Sequence, residues 1–174
     1  SLMSATLVGI RLRALRISAE NFAAMQTLST ALVVTVSRVH ATTTHADESA
    51  AQGCDRRLLW RFGISGDRPL ILVSAADVQG MGLLRAMAQA LSQWAWAGVA
   101  CDLVVVNSEP ASYAMALQRE IEVLRERHAR DTSAHGGAAL TGFHLLRADE
   151  LSAPEWCTLK ALARFRFHAD GRPL

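Results

Sequence analysis

The chain has little of what marks the specialised classes of protein. Its three cysteines, Cys54, Cys101 and Cys157, are odd in number, far apart and in no Cys-x-x-Cys pair. That excludes a disulfide framework and a zinc ribbon, and fits free thiols in a reducing compartment. Four prolines and 11 glycines exclude collagen and low-complexity sequence. Neither sign of charge dominates: 18 basic residues stand against 16 acidic ones, a net charge of +2. There is thus no electrostatic case for a nucleic-acid partner. Long apolar runs are missing too. The uncharged stretches Asn21–Ser37 and Ala86–Cys101 carry Gln, Ser or Thr, and both fall short of the ~20 apolar residues that span a bilayer. No charged segment leads into an apolar run and a cleavage site, so no signal peptide is expected. Lysine is almost absent: Lys160 is the single one among the 18 basic residues. Arginine favours carboxylate and phosphate forks, but a bias this general reads as codon usage.

What remains is 51% hydrophobic and 174 residues long, enough for one domain with a real core and a short appendage. Ser1-Leu2 ahead of Met3 reads as a cloning scar, and the abrupt end at Gly171-Arg172-Pro173-Leu174 reads as an excision. A soluble fragment is therefore expected.

Periodicity divides the chain in two. Leu7, Ile10, Ala14 and Leu15 recur at helical spacing, although Val8, Ile10, Leu12 and Ala14 also alternate as a strand would. Ser18 is placed to cap a second helix with the stripe Phe22, Met25, Leu28, Leu32 and Val36. From His40 to Asp55 the residues turn small and polar, which marks the boundary between a helical linker with its loop (residues 1–57) and an α/β domain (residues 58–174). In Leu58–Ile64, Trp60 reads as an apolar hook that ties the linker to the sheet.

The second part alternates strand and helix. Pro69–Ala75 and Cys101–Val106 are continuous apolar runs, as strands covered on both faces should be. Gly80–Ala97 carries Leu84, Met87, Leu91 and Trp94 on one helical face; Trp96 points elsewhere, toward another layer or a partner. Pro110 and Ser112 start a helix with Tyr113, Leu117, Ile121 and Leu124 on one side, followed by a loop at Asp131–Gly137. Ala139–Leu146 is a third strand interrupted by Gly142. Ser152-Ala153-Pro154-Glu155 is a capping box that opens a helix through about Phe165. The expected fold is α/β: a three-layer, mainly parallel sheet with helices on both faces, flavodoxin- or Rossmann-like, preceded by an N-terminal helical linker.

In such a sheet ligands gather at the carboxyl ends of the strands. The first strand delivers Ser74 and Asp77, the second Asn107, Ser108 and Glu109, the third Arg147 and Asp149. Asp77, Asn107, Glu109, Arg147 and Asp149 form the candidate ligand crevice, in which carboxylates accept from sugar hydroxyls and a guanidinium donates. The competing reading is capping: loops after strands are polar, and Asp149 and Ser152 would simply cap the next turn. Gly80-Met81-Gly82 opens a helix, but Arg85 stands where a dinucleotide fingerprint needs its third glycine. His40, His45 and Asp47 lack the spacing of metal ligands, and His128 is placed to complement a helix dipole. No Gly-x-Ser-x-Gly elbow occurs. No catalytic residue, metal or cofactor is expected.

Several runs taken together resemble a known family. LWRFGISGDRPLILV (Leu59–Val73), DLVVVNSEPASY (Asp102–Tyr113), Leu145-Leu146-Arg147-Ala148-Asp149 and the earlier RLRALRISAENFAAMQTLSTALV (Arg11–Val33) resemble the cyclic β-1,2-glucan synthases of nodule-development type. The resemblance implies a large membrane enzyme that builds and cyclises a β-1,2-glucan from UDP-glucose, with a glycosyltransferase region and a phosphorylase-like C-terminal portion that trims chain length using phosphate. This chain would be an internal, non-catalytic segment near that portion. Its implied partners are the other domains of the synthase and the β-1,2-glucan itself, in a parent at the bacterial inner membrane. Where no neighbour covers the N-terminal helices, two copies would pair through them as a homodimer. The chain departs from the family between Gly137 and Phe143 and lacks an acidic run in Ala75–Gly82, and neither the transferase's acidic motifs nor the phosphorylase's catalytic acid has a counterpart here.

Overall fold

Two runs of apolar residues dictate the centre of the molecule, because apolar side chains on both faces need a layer on each side. The computed structural model describes residues 23–31, 34, 54–111, 114–134 and 140–171. Its sheet contains β1 (Leu70–Ala75), β2 (Cys101–Asn107), β3 (Thr141–Arg147) and β4 (Ala163–Ala169). All pairings are parallel, in the order β3-β2-β1-β4. The expected three-layer α/β architecture is borne out.

Alternate residues of the central strands feed two separate cores. Ile71, Val73, Ala75, Leu103 and Val105 pack beneath α2 (Met81–Trp96) and α3 (Ala116–Ala134). Met25 and Leu28, from the helix at residues 23–31 (α1), complete that layer. Trp94 Nε1 donates to Ser29 Oγ at 2.7 Å, which fastens α1 onto α2. Leu70, Leu72, Val104 and Val106 face the other way. They are covered by Leu59 and Ile64, in and just after the 3-10 turn Arg56–Phe62, and by Leu159 of α4 (Ala153–Leu162). Each fully buried leucine or isoleucine contributes about 1.5–3 kcal/mol relative to exposure.

The structure corrects the reading in several places. The last helix does not run to Phe165: Ala163 turns extended (φ −65°, ψ 120°), and Ala163–Ala169 forms β4 beside β1. In β4 Phe165 and Phe167 pack on the sheet while Arg164, Arg166 and His168 are exposed, the alternation of a strand with one wet face. The second sheet-flanking helix begins at Ala116, not at Pro110, and continues through Asp131 to Ala134. His128 is therefore two turns from its end and does not complement a dipole. It is buried, with Nδ1 3.1 Å from Ser92 Oγ. Trp60 is no hook, being 58% exposed while Leu59 and Ile64 are fully buried. Trp94 is core, as its spacing implied, and Trp96 is half-buried. Outside the described residues lie Leu7–Leu15, Ser18, Phe22, Leu32, Val36, His40, His45, Asp47, Ser112 and Tyr113.

Candidate functional site

Two strands that end side by side bring their following loops together. Asn107 and Arg147 are the last paired residues of β2 and β3, and beyond them a cleft of about 250 Å³ is lined by Asn107, Glu109, Pro110, Arg147, Ala148 and Asp149, among others. Four of the five expected crevice residues thus meet in one place. Asp77 does not line it. It follows β1, where its carboxylate accepts from the Gln79 amide at 2.7 Å and caps a short 3-10 turn.

Hydrogen bonds within the cleft decide what its side chains can do. Glu109 turns both carboxylate oxygens onto the start of α3, accepting from the amides of Leu117 (3.2 Å) and Gln118 (3.1 Å). A helix N-terminus leaves such amides unsatisfied and carries a partial positive charge, so this carboxylate is bound to the fold. Asn107 accepts from the Glu109 amide through Oδ1 and donates through Nδ2 to Gln118 Oε1, both at 2.8 Å. Arg147 grips Asp149 as a two-pronged fork, Nε to Oδ1 at 3.0 Å and Nη2 to Oδ2 at 2.8 Å. That contact raises the guanidinium pKa and lowers the carboxyl's. The Arg147 side chain is only 15% exposed, and its buried Nη1 has no hydrogen-bond partner among the described residues.

The order β3-β2-β1-β4 reverses between β1 and β4, where doubly wound sheets commonly bind dinucleotides. Here that crevice is filled. A Cβ on Gly80 would stand 2.5 Å from the Ala169 carbonyl oxygen and 2.7 Å from its Cβ. The glycine before α2 thus serves contact between backbones. Beside it Ser74 Oγ lies 2.8 Å from His168 Nδ1. This pair escaped the sequence reading because β4 did; the alternation of Phe165 and Phe167 with Arg164, Arg166 and His168 was its one available signal.

Two further polar groups lie away from the cleft. Asp102, buried in β2, accepts from Arg68 Nη1 at 3.4 Å and lies 4.0 Å from His144 Nε2. Burial is the main cause that lowers the His144 pKa, opposed by the Asp102 charge. Between α2 and α3, Ser92 donates to the Ala88 carbonyl (3.1 Å), which leaves it to accept from His128 Nδ1–H. Burial lowers the His128 pKa as well, opposed by the Asp131 charge. Among the described residues no group of three or more His, Cys, Asp or Glu side chains could hold a metal, and no helix is long and apolar enough to cross a membrane.

No family model matches the chain. Over 111 residues, 64% of its length, it is 32% identical to the cyclic beta-(1,2)-glucan synthase NdvB of Rhizobium meliloti (strain 1021). The match spans 4% of that curated protein. The resemblance carried by the sequence motifs is thereby borne out: this chain is similar to a short segment of a cyclic β-1,2-glucan synthase.

Proposed function

We propose that this chain is a non-catalytic α/β module of a cyclic β-1,2-glucan synthase, and that it holds the glucan at the β2–β3 cleft beside the other domains of the enzyme. One observation carries the reading: both carboxylates of the cleft are already engaged, Glu109 with the amides of α3 and Asp149 with Arg147. A general acid or base must be within reach of a substrate proton and free to exchange its own, whereas the oxygens of these carboxylates are taken up by bonds within the fold. The Arg147–Asp149 fork, with Asp149 exposed, keeps a planar donor and acceptor pair beside the cleft, the chemistry that binds sugar hydroxyls. In this reading the parent resides at the bacterial inner membrane. A homodimer through the N-terminal helices would use another face of α1, since Met25 and Leu28 are already buried.

Incubation of the chain with UDP-glucose, and separately with β-1,2-glucan and phosphate, tests the non-catalytic half. Neither UDP nor glucose 1-phosphate should be released above the no-protein control. Release that disappears in Glu109→Gln would overturn it. A second reading, a nucleotide-sugar binder at the same cleft, is favoured by the buried Nη1 of Arg147, which has no partner among the described residues. It predicts that UDP-glucose binds more tightly than the glucan does.

A further inference from the structure

The helix α4 is short and sits over the middle of the sheet, where Leu159 packs with Leu70, Leu72, Val104 and Val106 of β1 and β2. The outer strand β4 lies beyond its cover. Burial along Ala163–Ala169 accordingly alternates: Arg164, Arg166 and His168 are exposed, while Phe165 and Phe167 are half-buried against the other core. Arg166 and His168 stand in register with Leu72 and Ser74 of β1, and Ser74 Oγ, 2.8 Å from His168 Nδ1, carries the wet face one strand inward. Among the described residues neither Arg164 nor Arg166 has a hydrogen bond or ion pair. β4 is also an edge. It pairs with β1 on one side, and among the described residues no strand pairs with the other. An edge strand presents a row of unpaired N–H and C=O groups, a template for one more strand.

We propose that the outer edge of β4 binds an extended acidic segment as a fifth strand, one that alternates Asp or Glu with apolar residues. Alternate residues of a strand stand about 6.6 Å apart on one face. Carboxylates at every second position of an added strand therefore fall opposite Arg164, Arg166 and His168, and cross-strand pairs of opposite charge stabilise a sheet. The residues between them fall on the other face, beside Phe165 and Phe167, and extend the apolar layer there. Main-chain hydrogen bonds supply the affinity, and the alternating side chains supply the specificity. A second copy of the chain does not fit this edge. β4 against β4 sets Arg166 opposite Arg166, and like charges directly opposite are destabilising. The other outer strand, β3, carries His144 and Arg147 and no carboxylate.

The test is hydrogen exchange of the intact chain at low salt, with a synthetic peptide that alternates glutamate and valine and with its lysine–valine counterpart. The expected result is slowed exchange in Ala163–Ala169 with the glutamate peptide alone. Its affinity should weaken about tenfold in the double variant Arg164→Glu/Arg166→Glu. That variant should take up the lysine peptide instead, a gain that a misfolded chain would not show. No protection of β4 by the glutamate peptide, equal protection by both peptides, or protection that survives the double reversal would overturn the proposal. So would peptide-free protection of β4 that rises with protein concentration, which marks a second copy as the occupant. The wild-type results decide the matter whether or not the double variant folds.

Discussion

Glu109 and Gln118 are joined at 3.1 Å by a carboxylate accepting from a backbone amide, so a residue that the sequence marks for a ligand crevice caps the start of α3. Glu109→Ala should therefore destabilise the fold by about 1 kcal/mol, the typical worth of a helix N-terminal cap. Glu109→Gln keeps one acceptor and should lose less. Urea denaturation measures both, and an alanine variant as stable as wild type would contradict the capping role.

Gly142 interrupts β3 for a steric reason. It pairs with Asp102, and a Cβ there would fall 2.6 Å from both Asp102 Oδ1 and His144 Nε2. Gly142→Ala must displace a buried carboxylate or the ring beside it, at an expected cost of about 1–3 kcal/mol. The denaturation midpoint should fall even though alanine is the stiffer residue in the unfolded chain.

Gly80 meets backbone rather than side-chain ends, since a Cβ would lie 2.5 Å from the Ala169 carbonyl. Gly80→Ala should cost more than Gly142→Ala, because β4 as a whole has to move. Hydrogen exchange should show the loss concentrated in Ala163–Ala169.

The Arg61–Glu155 pair sets an acid limit. Glu155 accepts from Arg61 and from the hydroxyl and amide of Ser152, and the Arg61 bond is the largest cause of a pKa lowered from 4.5 to about 2. Folding thus favours the ionised carboxylate. Its contribution is full above about 4.5, declines as pH falls, and is lost as pH passes through about 2. Glu155→Gln should flatten stability against pH between those values while leaving the neutral-pH slope unchanged. The buried His128 and the half-buried His144 act earlier: their lowered pKa values mean that stability falls as pH drops below about 6.5.

How much of this could be read in the sequence follows from where burial repeats. β1 and β2 are covered on both faces, so their apolar runs announce them. β4 follows α4 without a glycine or proline, through the helix formers Ala161, Leu162 and Ala163, and only its Phe–Arg alternation separates it from the helix. Asn107, Glu109, Arg147 and Asp149 were legible as neighbours because parallel strands end together. Their mutual bonding was not, since Gln118 and the amides of α3 reach the cleft only once α3 starts at Ala116. Asp77 was misplaced for a related reason: Gly80 brings the loop after β1 against β4, not toward β2.

Calorimetric titration of the intact chain with β-1,2-gluco-oligosaccharides and with UDP-glucose tests the central proposal most directly. A glucan-holding module predicts saturable heat with the oligosaccharides, weakened at least tenfold in Arg147→Ala, and little or none with UDP-glucose. Tight binding of UDP-glucose with no response to the oligosaccharides would contradict it.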